Sequence, residues 1–216
     1  NMVIYDIQEC KLNISDSSFS HFVVADFDFE SLQSKGSNYH NLIAFNSKAP
    51  EGYQFNDIDL NQSQFTDSKL ARVNFSGSDL TQASFKGCDL NAANFKGANL
   101  TYALLLDAQL EQVDFSSSEL TSANLSDSSA IRANFTDANM NMSFLNRVNL
   151  QKAVFNRARL DFADLSYSNL EEAVFDGTGF HRTKVHHVLS DTAKIASRSG
   201  VYGTDKDLSK AELWII

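Results

Sequence analysis

From Phe55 to Phe180 an apolar residue returns at every fifth position without one insertion or deletion. The central positions run Phe55, Leu60, Phe65, Leu70, Phe75 and Leu80 and keep that beat through Phe175 and Phe180, with Ala130 the sole small residue among them. Two residues before nearly every one stands something small, as at Ala83, Cys88, Ala93 and Ala98. A continuous α-helix advances about 100° per residue, so a five-residue step would smear these side chains around the cylinder. A straight strand fails as well, because side chains alternate with period two and successive central residues would fall on opposite faces. The chain must therefore turn about every five residues. The central residue and the small one before it then share the inward face of a short extended segment. The residue between them points out, and it is polar at Asn74, Asp79, Ser84, Asp89, Asn94 and Asn99.

A longer period shows how many turns close one coil. Every twentieth residue from Phe55 to Phe175 is phenylalanine, whereas the set displaced by ten begins Phe65, Phe85 and then becomes Leu105, Leu125, Leu145 and Leu165. A ten-residue coil would mix the two sets in one column; a twenty-residue coil keeps the phenylalanines stacked. Four short sides per coil follow, with about six and a half coils and a rod roughly 31 Å long at a strand spacing of about 4.8 Å.

Units such as Ala-Asn-Phe-Lys-Gly (93–97), Ala-Asn-Leu-Thr-Tyr (98–102) and Ala-Asp-Leu-Ser-Tyr (163–167) resemble those of the pentapeptide-repeat proteins. The resemblance implies an all-β fold, a right-handed quadrilateral parallel β-helix. It also implies a binding protein rather than an enzyme. The best-known members bind DNA gyrase or topoisomerase as DNA mimics and protect it from quinolones or toxins; others are effectors or toxin-immunity proteins.

The chain reads as a single β-helix domain over 1–216. Residues 1–32 form an irregular first coil, in which Ile14, Phe19, Val24 and Phe29 keep the beat one residue out of phase with the main block. Residues 33–52 contain Gly36, Ser37, Asn38, the only proline (Pro50) and Gly52, and read as a loop excursion that re-phases the coil. Regular repeats fill 53–180. Over 181–216, Val185, Ala193 and Ile195 keep the beat, and Ser199, Gly200 and Gly203 mark a loop. Asp207 to Leu213 then echoes Asp164 to Leu170, so the chain is expected to re-enter the coil and to cap its open end with Trp214, Ile215 and Ile216. The resemblance implies an alternative use of this tail, homodimerisation through the C-terminal end.

A net charge of −9 argues against a nucleic-acid binder that works by neutralising phosphates, and favours a basic partner. The only cysteines are Cys10 and Cys88, and Cys88 sits at a small inward position, so a disulfide framework is not expected. With no apolar run of membrane-spanning length and no signal-peptide pattern, the expected location is cytoplasmic and without membrane contact.

No catalytic, cofactor or metal site emerges. His181, His186 and His187 lack a carboxylate or cysteine at metal-ligand spacing. Serines and threonines are explained by the repeat turns, and Gly77, Gly87 and Gly97 sit two residues after a central residue, where corners favour them. The informative deviations are apolar residues at outward positions. Tyr102, Leu104, Leu106, Met142, Phe144 and Phe162 should converge into one exposed patch, a candidate partner site unless the N-terminal loop or the tail covers it. A weaker candidate is an acidic surface on the first half of the rod, from Asp57, Asp59, Asp67, Asp79, Asp89, Asp107, Glu111, Asp114, Glu119 and Asp127. Arg132, Arg147, Lys152, Arg157 and Arg159 populate later coils and make the surface bipolar. The functional expectation is a protein that masks a protein partner by occupancy, such as an immunity protein against a basic toxin; the alternative is a gyrase-protecting DNA mimic. Ala130 should leave a packing gap or let Ile131 swing inward.

Overall fold

The computed structural model describes residues 2–5, 12–13, 18–19, 21–33, 38–195 and 201–202. They form a right-handed, four-sided parallel β-helix in which residues twenty apart are lateral neighbours. From Gln54↔Asn74 to Asn169↔Leu189 the sides pair by single parallel bridges, each with an offset of twenty. Most corners are β-turns that open at a central residue, whose carbonyl accepts the N–H three residues on, as in Ala83 N–H to Leu80 O at 2.9 Å. The second residue after the central one takes the left-handed conformation, with φ near +60° in nearly every unit, as a type II turn requires. Gly77, Gly87 and Gly97 occupy this place, and so do Ala92, Arg132 and Phe162.

Backbone polarity is discharged between coils. Phe85 N–H donates to Leu104 O at 2.7 Å, Leu104 N–H to Ala83 O at 2.8 Å, and Gly87 N–H to Leu106 O at 3.0 Å. Repetition of these three bonds in each unit leaves few backbone groups to water and makes the rod rigid. Inside, the central residues from Phe55 to Phe175 are buried without exception. The phenylalanine column stacks with ring centroids 4.7–5.4 Å apart and planes within 16° from Phe55 to Phe175. Ala130 is fully buried, and Ile131 stays half-exposed at its corner instead of swinging inward.

The N-terminal coils are regular where described. Strands β1 (Met2–Tyr5), β2 (Leu12–Asn13), β3 (Ser18–Phe19) and β4 (Phe22–Ala25) precede β5 (Leu32–Gln33), β6 (Asn38–Tyr39) and β7 (Leu42–Phe45). β1–β4–β7, β2–β5 and β3–β6 all pair in parallel, again with an offset of twenty. The loop expected over 33–52 is therefore corrected: β6, β7 and the Asp28↔Lys48 bridge place residues 38–48 in the coil, with Tyr39, Leu42 and Ala44 buried. Turn-forming residues there do not mark an excursion, because a chain with a corner every five residues needs them throughout.

The phase shift is absorbed by one residue. Ile43↔Gln64 and Lys48↔Lys69 pair with an offset of twenty-one, and the offset returns to twenty at Gln54↔Asn74. The extra residue lies between Lys48 and Gln54. Ala49 packs against the core in the central place while Pro50 opens the turn, its carbonyl accepting Tyr53 N–H at 3.0 Å.

At the other end the coil continues through β8 (Val174–Phe175), β9 (Thr183–Lys184) and β10 (Lys194–Ile195), with β10 on β8 and β11 (Val201–Tyr202) on β9. The expected re-entry at 207–213 and the cap at 214–216 lie outside the described residues. Among the described residues, no helix is long and apolar enough to cross a membrane.

Candidate protein-binding face

One side of the rod carries the outward column Ser84, Leu104, Asn124, Phe144, Asp164 and Lys184, paired coil to coil. Its leading corner carries Gln82, Tyr102, Ser122, Met142, Phe162 and Arg182, and turn hydrogen bonds join Gln82, Tyr102, Ser122, Met142 and Phe162 to the next coil, such as Met142 N–H to Asp161 O at 2.8 Å. Its trailing corner carries Gly87, Asp107, Asp127, Arg147, Tyr167 and His187. The structure thus gathers Tyr102, Leu104, Met142, Phe144 and Phe162 on one face, each exposed by 42–56%. Leu106 is half-buried, because it is the first residue within the trailing turn, after the central Leu105, instead of projecting from the side.

Tyr167, exposed by 54%, completes the patch across the face from Phe162, and the sequence reasoning missed it. The signal was available, since Tyr167 follows Leu165 by two as Tyr102 follows Leu100. Its ring meets His186 at 5.3 Å and His187 at 5.4 Å, while the two imidazoles lie 4.0 Å apart. Phe162 packs edge-on against His181 at 5.4 Å, with the Arg182 guanidinium 5.8 Å from its ring centre. The clustered histidines are thus spent on aromatic contacts. Among the described residues no group of three His, Cys, Asp or Glu side chains is placed to hold a metal ion.

The relief of the face alternates. Coil 102–107 is bulky and apolar, coil 122–127 presents Ser122 and Asn124, and coil 142–147 is bulky again. Leu104 and Phe144 therefore stand about 10 Å apart, two strand spacings, with a shallow polar trough between.

Two carboxylates beside it, Asp127 and Asp164, have partners. Arg147 clamps Asp127 through Nε at 2.6 Å and Nη2 at 2.7 Å, which holds the Asp127 carboxyl below its usual range. For Asp164, burial pushes the carboxyl up. Hydrogen bonds from the Ser166 hydroxyl and N–H and from Asn146, with the charge of Lys184, outweigh this and leave it lowered.

The ten acidic residues do not form one surface. Asp59, Asp79 and Glu119 share one side, Asp89 and Asp114 lie on two others, and Asp57 and Glu111 lie at or beside separate corners. Asp59, Asp79, Asp89, Asp114 and Glu119 each accept the turn N–H two residues on, at 2.9–3.2 Å. An acceptor just before a corner can serve any side of the coil, so the repeat distributes carboxylates around the rod. Asp67, Asp107 and Asp127 align on the trailing corner of the apolar face.

The comparisons agree with this architecture. Models of the pentapeptide repeat region match residues 43–115 and 74–155, and a pentapeptide-repeat model of eight copies matches residues 153–188. A trypsin-treated form of QnrB1, a plasmid-mediated fluoroquinolone resistance protein, superimposes with a TM-score of 0.71 at 20% identity, over 94% of this chain and 98% of that one. HetL, involved in heterocyst differentiation regulation in the cyanobacterium Nostoc sp. strain PCC 7120, does so with a TM-score of 0.55 at 20% identity, over 94% and 91%. No curated protein sequence matches the chain.

Proposed function

This chain belongs to the pentapeptide-repeat family, and we propose that it is a non-enzymatic cytoplasmic binding protein that masks a protein partner by surface occupancy, as an immunity protein masks a basic toxin. The observation that carries this reading is the cluster of Tyr102, Leu104, Met142, Phe144, Phe162 and Tyr167 in water on a preformed scaffold. Solvent-exposed aromatic groups gathered on one face are uncommon outside interaction sites, and a rigid rod loses little to ordering when it binds. The aligned Asp67, Asp107 and Asp127 border this face and suit a basic partner.

A second reading, a gyrase-binding DNA mimic, draws support from the fold likeness to QnrB1. The scatter of the carboxylates over several sides and the pairing of Arg147 and Arg157 with Asp127 and Asp137 weigh against it.

Affinity capture from the native host, with the captured proteins identified, separates the two. A small basic protein encoded beside this gene supports masking, and gyrase subunits support mimicry. Replacing Tyr102, Phe144 and Phe162 with serine should abolish capture while leaving circular dichroism unchanged. Undiminished capture by that variant overturns the assignment to this face.

A further inference from the structure

We propose that the same face closes on a second copy of the chain, the two rods lying antiparallel about a twofold axis that passes between coils 122–127 and 142–147. This goes beyond the partner reading: the second copy and a foreign partner compete for one surface. The argument is self-complementarity, which a twofold interface requires. About this axis coil 122–127 meets coil 142–147 of the second copy, coil 102–107 meets 162–167, and 82–87 meets 182–187.

Large then falls on small. Phe144 covers Asn124 of the second copy, Met142 covers Ser122, and Leu104 covers Asp164, whose carboxylate keeps its hydrogen bonds from Ser166 and Asn146. At the leading corner Tyr102 meets Phe162. At the trailing corner Asp127 meets Arg147 of the second copy and Arg147 meets its Asp127. The two intramolecular pairs, each closed at 2.6 Å, thus join into one ring of alternating charge. The cationic end with Arg182 and Lys184 covers the neutral Gln82 and Ser84. A parallel twofold arrangement instead sets Asp164 against Asp164, Lys184 against Lys184 and Phe144 against Phe144, so charge selects the antiparallel one.

The test uses light scattering with size exclusion on the full chain over a wide concentration range, with the Asp127→Arg and Arg147→Glu variants. Both positions are exposed, arginine already occupies left-handed corners at Arg132 and Arg147 and glutamate at Glu172, so neither change should disturb the fold. Wild type should dimerise and each variant alone should be monomeric, because like charges then face each other. An equimolar mixture should recover the dimer, since both corner cations of the Asp127→Arg chain then face both corner carboxylates of the Arg147→Glu chain. A monomeric wild type, single variants that still dimerise, or a mixture that stays monomeric overturns the proposal. Loss of the foreign partner with an intact dimer would count against the masking function and leave this arrangement standing.

Discussion

Replacing Phe115 with leucine isolates what the phenylalanine column contributes beyond filling space. Phe115 is fully buried and stacks on Phe95 at 5.2 Å with planes 16° apart, and on Phe135 at 5.1 Å and 5°. Leucine keeps most of the apolar burial, because either side chain gains about 1.5–3 kcal/mol on leaving water. What disappears is two stacked pairs, at about 0.5–1.5 kcal/mol each, so the expected loss is about 1–3 kcal/mol. The void left by the smaller side chain adds to it. For a chain of this length each kcal/mol corresponds to about 2–4 °C, and thermal unfolding should shift down by roughly 2–12 °C. A double-mutant cycle with Phe135→Leu sharpens the test. If stacking is real, the coupling should be about 0.5–1.5 kcal/mol. Strictly additive losses would refute the stacking argument and reduce the column to hydrophobic filling.

Three further outcomes follow from local geometry. Gly97→Ala, whose Cβ meets nothing within 4 Å, should cost only the left-handed conformational penalty of about 1–2 kcal/mol; Gly77→Ala should cost about the same, because the Asp57 carboxylate its Cβ meets ends an exposed side chain that can swing aside, and a much larger loss than for Gly97→Ala in urea titrations would refute this. Among the described residues the buried Ser128 hydroxyl has no hydrogen-bond partner, so Ser128→Ala should be neutral or stabilising; Ser168→Ala should lose about 1 kcal/mol with its bond to the Leu145 carbonyl, and the reverse order would refute the assignment. Burial pushes the Cys88 thiol up to about 12 from an ordinary value near 9.0, so Cys88, followed in a Cys10→Ser background, should resist thiol reagents until the protein unfolds. Because this folded value is raised, the contribution is complete below pH 9 and is lost as pH rises towards 12. By pH 10 wild type should have lost about 1.4 kcal/mol relative to Cys88→Ala, and parallel pH profiles would contradict it.

The repeat made the fold and most of the candidate face legible because its period is unbroken. Once four sides close one coil, Tyr102, Met142 and Phe162 must share a corner, and Leu104 and Phe144 a side. Tyr167 escaped because it stands alone in its corner column, and its partnership with Phe162 appears only when the two corners of one side are compared. The loop reading of 33–52 failed for the opposite reason. Proline, glycine and asparagine are corner residues in this architecture, and composition cannot distinguish a corner from an excursion.

The amino-acid sequence by itself determines which side chains point inward, since that depends only on a five-residue turn and a two-residue alternation. What the tertiary structure decides is lateral: which outward residues become neighbours across coils, and where one extra residue is absorbed without breaking the stack. Those outcomes depend on interstrand hydrogen bonds between residues about twenty apart. The same bonds divide the carboxylates among separate sides and set Arg147 against Asp127 beside the apolar face.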